Sequence, residues 1–346
     1  MSLKLSFILP CYNVEPYISD CLNSIYTQDI SEDEFEVICV NDRSTDNTGH
    51  ILNKYMSVHE NMSVINHSVN QTLGGARNSG LKAARGLFLW FVDPDDYIPC
   101  NCLKELIGLA EGRDADILMF NHRVVNSGKE FVKDSLMFSD SDVTSGQEYI
   151  LKYTPNNISA HTIVWCCLYK TSFLHDNGFM FPAMRKGADD SFQWRAMLYA
   201  ERVFSTEKVY YVYRVNPDSV SNKTYLADVV FSDRILNAHQ INMLLHDDGL
   251  KIRKEIGDDL MKTMRWSVNS TMEMVANMSA AEQSKYYREI DRNREIVKSL
   301  MPYMSRKSRC LYSLSGGHLV WKTKLNTLLW LERRKHKNEK LFQEDL

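Results

Sequence analysis

This 346-residue sequence predicts an α/β fold: a mostly parallel central sheet flanked by helices, followed by a helical C-terminal extension. Three observations predict it. Short apolar runs alternate with stretches of helical spacing through the first hundred residues, the pattern of strands joined by crossover helices. Each run ends in a cluster of polar residues. Beyond about Tyr225 the strand signals give way to helical periodicity alone. The length allows about two domains, with the division expected between 1–222 and 223–346. A hydrophobic content of 44%, with 25% charged residues, is that of an ordinary folded chain, and a net charge of −3 gives no general pull toward nucleic acid.

Residues 4–9 form the first apolar run, closed by Pro10-Cys-Tyr-Asn13, and Tyr17, Ile18, Cys21, Leu22 and Ile25 then recur at helical spacing. The run 35–40 repeats the pattern and ends at Asn41-Asp-Arg-Ser-Thr-Asp46 before a helix reaching about Val58. A third strand is expected over 62–66, then the glycine-bearing stretch Leu73–Gly80 and a helix through Ala84. The fourth run, from Leu87 to Val92, stops at Asp93-Pro-Asp-Asp96. Three carboxylates within four residues repel one another, and oxygen coordination of Mg2+ or Mn2+ is a common compensation. A solvated turn is the plainer alternative.

In a parallel sheet, ligands bind beyond the carboxyl ends of the strands. Tyr12, Asp42 and the Asp93–Asp96 cluster all fall there. An aromatic face for a base and an acceptor for its N–H are what a nucleotide requires; Tyr12 offers the first and Asp42 the second. The glycines of 74–80 lack both the Gly-x-Gly-x-x-Gly fingerprint and the Gly-Lys-Ser/Thr ending of a P-loop, which disfavours dinucleotide and P-loop enzymes. Gly74 and Gly75 are expected to let backbone pass close to ligand or sheet. Arg77 either binds nucleotide phosphates or pairs with a carboxylate.

Taken together, Phe7-Ile-Leu-Pro-Cys-Tyr-Asn13, Val40-Asn-Asp-Arg-Ser-Thr-Asp46, Gly75-Ala-Arg-Asn-Ser-Gly80 and Phe91-Val-Asp-Pro-Asp-Asp96 resemble the family 2 inverting glycosyltransferases of bacterial polysaccharide assembly. The resemblance implies a Rossmann-like GT-A fold and transfer of a sugar from a nucleotide donor, with a UDP-sugar expected. The acceptor would be a hydroxyl on a glycan or a lipid-linked saccharide. It places Pro10, Tyr12 and Glu15 in the nucleotide-binding first loop, Asp42 at the uracil ring, and Asp93 and Asp95 on the metal, Asp95 as the more direct ligand and Asp96 behind them. Lys186-Gly-Ala-Asp-Asp-Ser-Phe-Gln-Trp194 is similar to the family's Gly-Glu-Asp-x-x-Phe segment, which implies Asp189 as general base. Ala188 stands where many members carry Glu, so Asp190 remains an alternative. Arg214 and Ser219, after an aromatic strand near 209–214, would close over the donor phosphates, or Arg214 would cap the sheet.

Two other readings compete. A nucleotidyltransferase would carry a basic glycine-rich loop after its first strand, unlike Leu9–Asn13. A binding module that kept the fold and lost the chemistry has only Ala188 in its favour.

A strand is expected over 114–120, with residues 121–143 as a polar connection or a hairpin over the site. The methionine stripe Met261, Met264 and Met272, with Val268, reads as core and not as a cofactor box. Eight cysteines without paired spacing read as reduced thiols of a cytosolic protein, and the N-terminus lacks the pattern of a signal peptide. Between Gly316 and Lys340, Trp321, Leu325, Leu328 and Leu329 line one helical face beside a run of Lys and Arg. That combination suits either peripheral contact with an anionic membrane surface or a packed terminal helix with a solvated basic end.

Overall fold

The computed structural model describes residues 3–153, 163–184, 187–216, 227–276, 292–306, 308 and 309. Its first half is regular. Strands β1 (Leu5–Cys11), β2 (Phe35–Asn41), β3 (Met62–Asn66) and β4 (Phe88–Phe91) alternate with helices α1 (Ile18–Tyr26), α2 (Thr48–Met56) and α3 (Thr72–Ala83). The four strands are parallel, in the order β3-β2-β1-β4. All seven residues of β1 and all four of β4 are buried, as expected of strands covered on both faces.

The second half is mixed. After α4 (Leu103–Gly112) come β5 (Ile117–Val125), β6 (Phe131–Ser135), α5 (Gly146–Tyr153), β7 (Cys167–Lys170), α6 (Thr171–Asp176), α7 (Ala188–Tyr199) and β8 (Val203–Arg214). Strand β7 runs antiparallel between β4 and β5. β8 pairs parallel with β5, and β6 pairs antiparallel with it. The sheet is therefore mostly parallel, with β6 and β7 reversed.

Three local expectations change. The glycines of 74–80 lie inside α3 and not before it. Residues 121–125 are the outer half of β5 and form a hairpin with β6; Asn121 is polar yet buried, because its amide holds the Phe138 and Glu207 carbonyls at 2.7 and 2.9 Å. The aromatic strand begins at Val203, six residues before the expected start. Ser219 and the basic stretch 316–340 lie outside the described residues.

The chain divides into two compact units, residues 1–224 with 247–257, and 225–246 with 258–346. The second contains α8 (Ala227–Leu245) and most of α9 (Lys254–Ala276), and a short helix Arg294–Leu300 packs on α8. Ile235, Ala238, Met264, Val268 and Met272 are buried. Among the described residues no helix is long and apolar enough to cross a membrane, and the seven described cysteines are free thiols.

Helix α3 lies close against β1 at Gly80, where a Cβ would come within 2.3 Å of Ile8 Cγ2. Substitution Gly80→Ala must push helix and strand apart, so a loss of about 1–3 kcal/mol is expected in urea denaturation. A melting curve superimposable on the wild type would show that the contact is not tight.

Candidate active site

At the carboxyl rim of the sheet the loops after β1 and β2 are tied together. Asn13 N donates to Ser44 Oγ, Thr45 N donates to Asn13 Oδ1, and Asp46 accepts from Glu15 N. Glu15 spends both carboxylate oxygens on Asn47, one on its backbone N–H and one on its amide, at the start of α2. Pro10 is buried within β1. Of these two expected nucleotide contacts, Glu15 thus ties the β1 loop to the β2 loop and Pro10 lies in the strand beneath. Tyr12 is different: half its surface is open, so its ring is available to a ligand.

Asp42 is buried at the end of β2, where its Oδ1 accepts from the Gln71 N–H and meets His67 Nδ1, each at 2.7 Å. The other ring nitrogen of His67 meets Ser79 Oγ at 2.8 Å. Among the described residues nothing bonds Asp42 Oδ2. His67 was missed in the sequence, although it directly follows the third strand and so obeys the same strand-end rule as Asp42.

The deepest contact joins α3, the loop after β4 and α7. The Arg77 side chain is completely buried and donates from Nη2 to Asp93 Oδ1 at 2.8 Å and from Nη1 to Asp189 Oδ1 at 2.5 Å. Phe181 lies against the guanidinium, 5.3 Å from its ring centroid. Of the two sequence readings of Arg77, the pairing with carboxylates is the observed geometry. The guanidinium stays charged well above its ordinary range: burial opposes the charge, and the two acids outweigh burial.

Asp93 and Asp189 keep 24% and 26% of their side chains open, so both acids face the rim while the cation beneath them is sealed. Burial pushes the Asp189 carboxyl up to about 6, against the pull of Arg77. Gly187, at φ +80°, makes the left-handed turn that starts α7 and sets Asp189 and Asp190 in its first turn. Ala188 is buried beside Gly74.

Asp95 and Asp96 part company. Asp96 is buried, accepting from Tyr211 Oη and Arg214 N at 2.8 Å each; burial, then the charges of Asp95 and Asp93, raise it well above the carboxylate range. Asp95 is half-buried and accepts a side-chain bond from Asn216 Nδ2 at 3.3 Å. Burial and the Asp93 charge raise it too. Arg214 is buried between Tyr17 and Tyr97 and donates to Asp20 at 3.0 Å, which ties β8 to α1. Among the described residues no three His, Cys, Asp or Glu side chains form a ready-made metal cluster.

A mostly parallel sheet with acidic and aromatic groups at its carboxyl rim defines an α/β protein of the class that binds ligands at the strand ends. Comparison with known proteins narrows this: residues 6–178, half of the chain, match the glycosyl transferase family 2 model, and the chain belongs to that family. It is 33% identical over 218 residues to poly(ribitol-phosphate) beta-glucosyltransferase of Bacillus spizizenii, covering 62% of this chain and 33% of that one. Over 212 residues it is 35% identical to poly(ribitol-phosphate) beta-N-acetylglucosaminyltransferase TarS of Staphylococcus aureus, 60% of this chain and 35% of the relative. It therefore spans about a third of either relative. The crystal structure of S. aureus TarS 1–349 in complex with UDP-GlcNAc superposes with a TM-score of 0.64 at 26% identity, over 94% of this chain and 92% of that one.

Lysine at position 77 keeps the charge but cannot reach two carboxylates with a planar fork. Arg77→Lys is expected to cost about 3 kcal/mol of stability in chemical denaturation, because it leaves buried charge poorly paired. A stability within about 0.5 kcal/mol of wild type would show that the three elements hold together without it.

Proposed function

We propose that this chain transfers a sugar, with inversion, from a UDP-sugar to a hydroxyl of a glycan or lipid-linked acceptor. The observation that carries the proposal is Arg77 holding Asp93 and Asp189 on one rim. It sets a carboxyl with a value of about 6 beside the acidic loop of a family 2 chain. The relatives named above act on poly(ribitol-phosphate), and one solved neighbour holds UDP-GlcNAc; both support a UDP donor and a polymeric acceptor here.

On this reading Tyr12 stacks on the uracil and Asp42 accepts a base N–H. Asp189 Oδ2, to which nothing bonds among the described residues, takes the proton of the acceptor hydroxyl as its oxygen attacks the anomeric carbon. The bond from that carbon to the diphosphate breaks, its electron pair leaves with UDP, and the configuration at carbon inverts. No sugar is bound covalently to the protein. Arg77 keeps Asp189 in place and tempers its basicity.

Asp95 and Asp93 fit a divalent cation by their chemistry: two hard-oxygen donors, partly open, in one loop where burial and the Asp93 charge raise Asp95. Mg2+ and Mn2+ sites are commonly completed by one or two carboxylates with substrate phosphates, not by a closed protein cage. A cation bound there would act as a Lewis acid on the departing diphosphate.

Incubation with a panel of nucleotide-sugars, Mn2+ and saccharide acceptors is the direct test, and release of no nucleotide from any donor would defeat the reading. Asp189→Asn is expected to slow turnover by about 10²–10⁴-fold while UDP still binds; unchanged turnover would move the role to Asp190 or remove it. The base must be ionised to act, so kcat/KM should rise with pH through about 6 and level off above. A profile flat from pH 5 to 8 would contradict an Asp189 base. Chelation with EDTA should abolish transfer and Mn2+ restore it, with Asp95→Asn raising the Mn2+ concentration required. Full turnover in EDTA would exclude the cation.

A further inference from the structure

The acidic loop has two neighbours along the rim. On one side lie the β1 and β2 loops, with Tyr12 and Asp42. On the other side, β7 enters antiparallel, with Leu168 opposite Trp90 and Cys167 opposite Met119. Its first residues therefore sit at the carboxyl end of β4 and partway along β5. Trp165 lies two residues before it, and β8 brings Tyr211 and Tyr213 to the same place from one face, two residues apart.

These rings form an ordered stack. The Trp165 ring lies 4.5 Å from Tyr211 at 27° and 5.7 Å from Tyr213 at 13°, and His122 closes the group edge-on at 4.8 Å. Burial lowers His122 to about 4, so it stands neutral at working pH. The Trp165 carbonyl accepts Trp90 Nε1 at 2.8 Å, which fixes the backbone beneath the ring. Tyr211 is buried; its hydroxyl donates to Asp96 and accepts from the Asp93 N–H at 3.1 Å. The stack is thus bolted to the loop proposed to meet the donor diphosphate.

Its outer members behave differently from core aromatics. Trp165 and Tyr213 are only half-buried. Among the described residues neither the Trp165 indole N–H nor the Tyr213 hydroxyl makes a hydrogen bond, and neither atom is sealed from water without a partner. A buried Tyr or Trp normally satisfies its polar tip. A loose surface aromatic would not be stacked nearly parallel on fixed neighbours. An immobile apolar face edged by two unspent polar groups has the chemistry of a pyranose partner, whose C–H face stacks while its rim of hydroxyls donates and accepts.

We propose that Trp165 and Tyr213 form a subsite that stacks a sugar ring of the acceptor, on the side of the acidic loop away from the nucleotide. The assignment of that ring to the acceptor rests on the glycosyltransferase reading; the stacking site itself does not.

Saturation-transfer difference NMR on the full chain, with the methyl glycosides of glucose, N-acetylglucosamine and galactose as probes, tests it. Wild type should saturate the ring C–H protons of at least one glycoside. Trp165→Ala and Tyr213→Ala should weaken that signal about fivefold or more, while Trp165→Phe, which keeps a ring face, retains most of it. Trp165→Leu fills the space without an aromatic face and should behave as the alanine variant; its circular dichroism spectrum reports whether the fold is kept.

No glycoside saturated by wild type, equal signals in Trp165→Leu, or contact with the uracil of added UDP in place of the sugar would overturn the subsite. Calorimetric titration of UDP into the same samples separates the two proposals. Glycoside contact without UDP binding defeats the donor reading and leaves the stacking site, whereas UDP binding without glycoside contact does the reverse.

Discussion

A guanidinium removed entirely from water is tolerable only where opposite charges meet it with good geometry. Arg77 satisfies that condition by reaching two acids nearly a hundred residues apart in sequence, Asp93 and Asp189. The consequence is mechanical. Helix α3, the loop after β4 and the first turn of α7 cannot move independently without exposing or orphaning that charge. The residues around Arg77 tighten the same junction: Asn78 exchanges two hydrogen bonds with the Phe181 backbone, at 2.7 and 2.9 Å, and so holds the segment leading toward α7. Ser79 meets His67, which meets Asp42, and Gly80 lies against β1. About one turn of helix, Arg77 to Gly80, therefore holds Asp93 and Asp189 directly and Asp42 through His67.

The three carboxylates after β4 share a sequence and differ in task because they differ in surroundings. Asp96 is inward, bonded by Tyr211 and Arg214, and fixes the loop to β8. Asp93 is shared between Arg77 below and the rim above. Among the described residues, Asp95 takes no side-chain bond but a long one from Asn216, which leaves it the most available to a ligand. Burial and mutual repulsion raise both Asp95 and Asp96. Such a loop stores an unfavourable charge that a bound cation relieves, and this supports the metal reading without requiring a third protein ligand.

The sheet itself explains why donor and acceptor chemistry would separate. Parallel strands β1 and β2 deliver two loops suited to a nucleotide, short and joined to each other by side-chain hydrogen bonds. Reversal of β7 brings the start of a strand, not its end, to the same rim. That reversal is what places Trp165 beside the outer halves of β5 and β8, among stacked rings instead of carboxylates.

The sequence alone carried the alternation of strand and helix, the strand-end positions of Tyr12, Asp42 and the acidic cluster, and the family motifs, because these depend on periodicity and on residues adjacent in the chain. It did not distinguish Arg77 as a bridge from Arg77 as a phosphate ligand, and it did not show that Glu15 bonds Asn47 across two loops. It did not single out Tyr211, Asn216 or Trp165, nor His67, whose place after the third strand was its one signal. Those assignments are made by antiparallel insertion of β7, by β8 returning beside β5, and by α7 docking on α3. Each brings together groups far apart along the chain, and whether a charge is paired, buried or open is a property of that meeting and not of the residue.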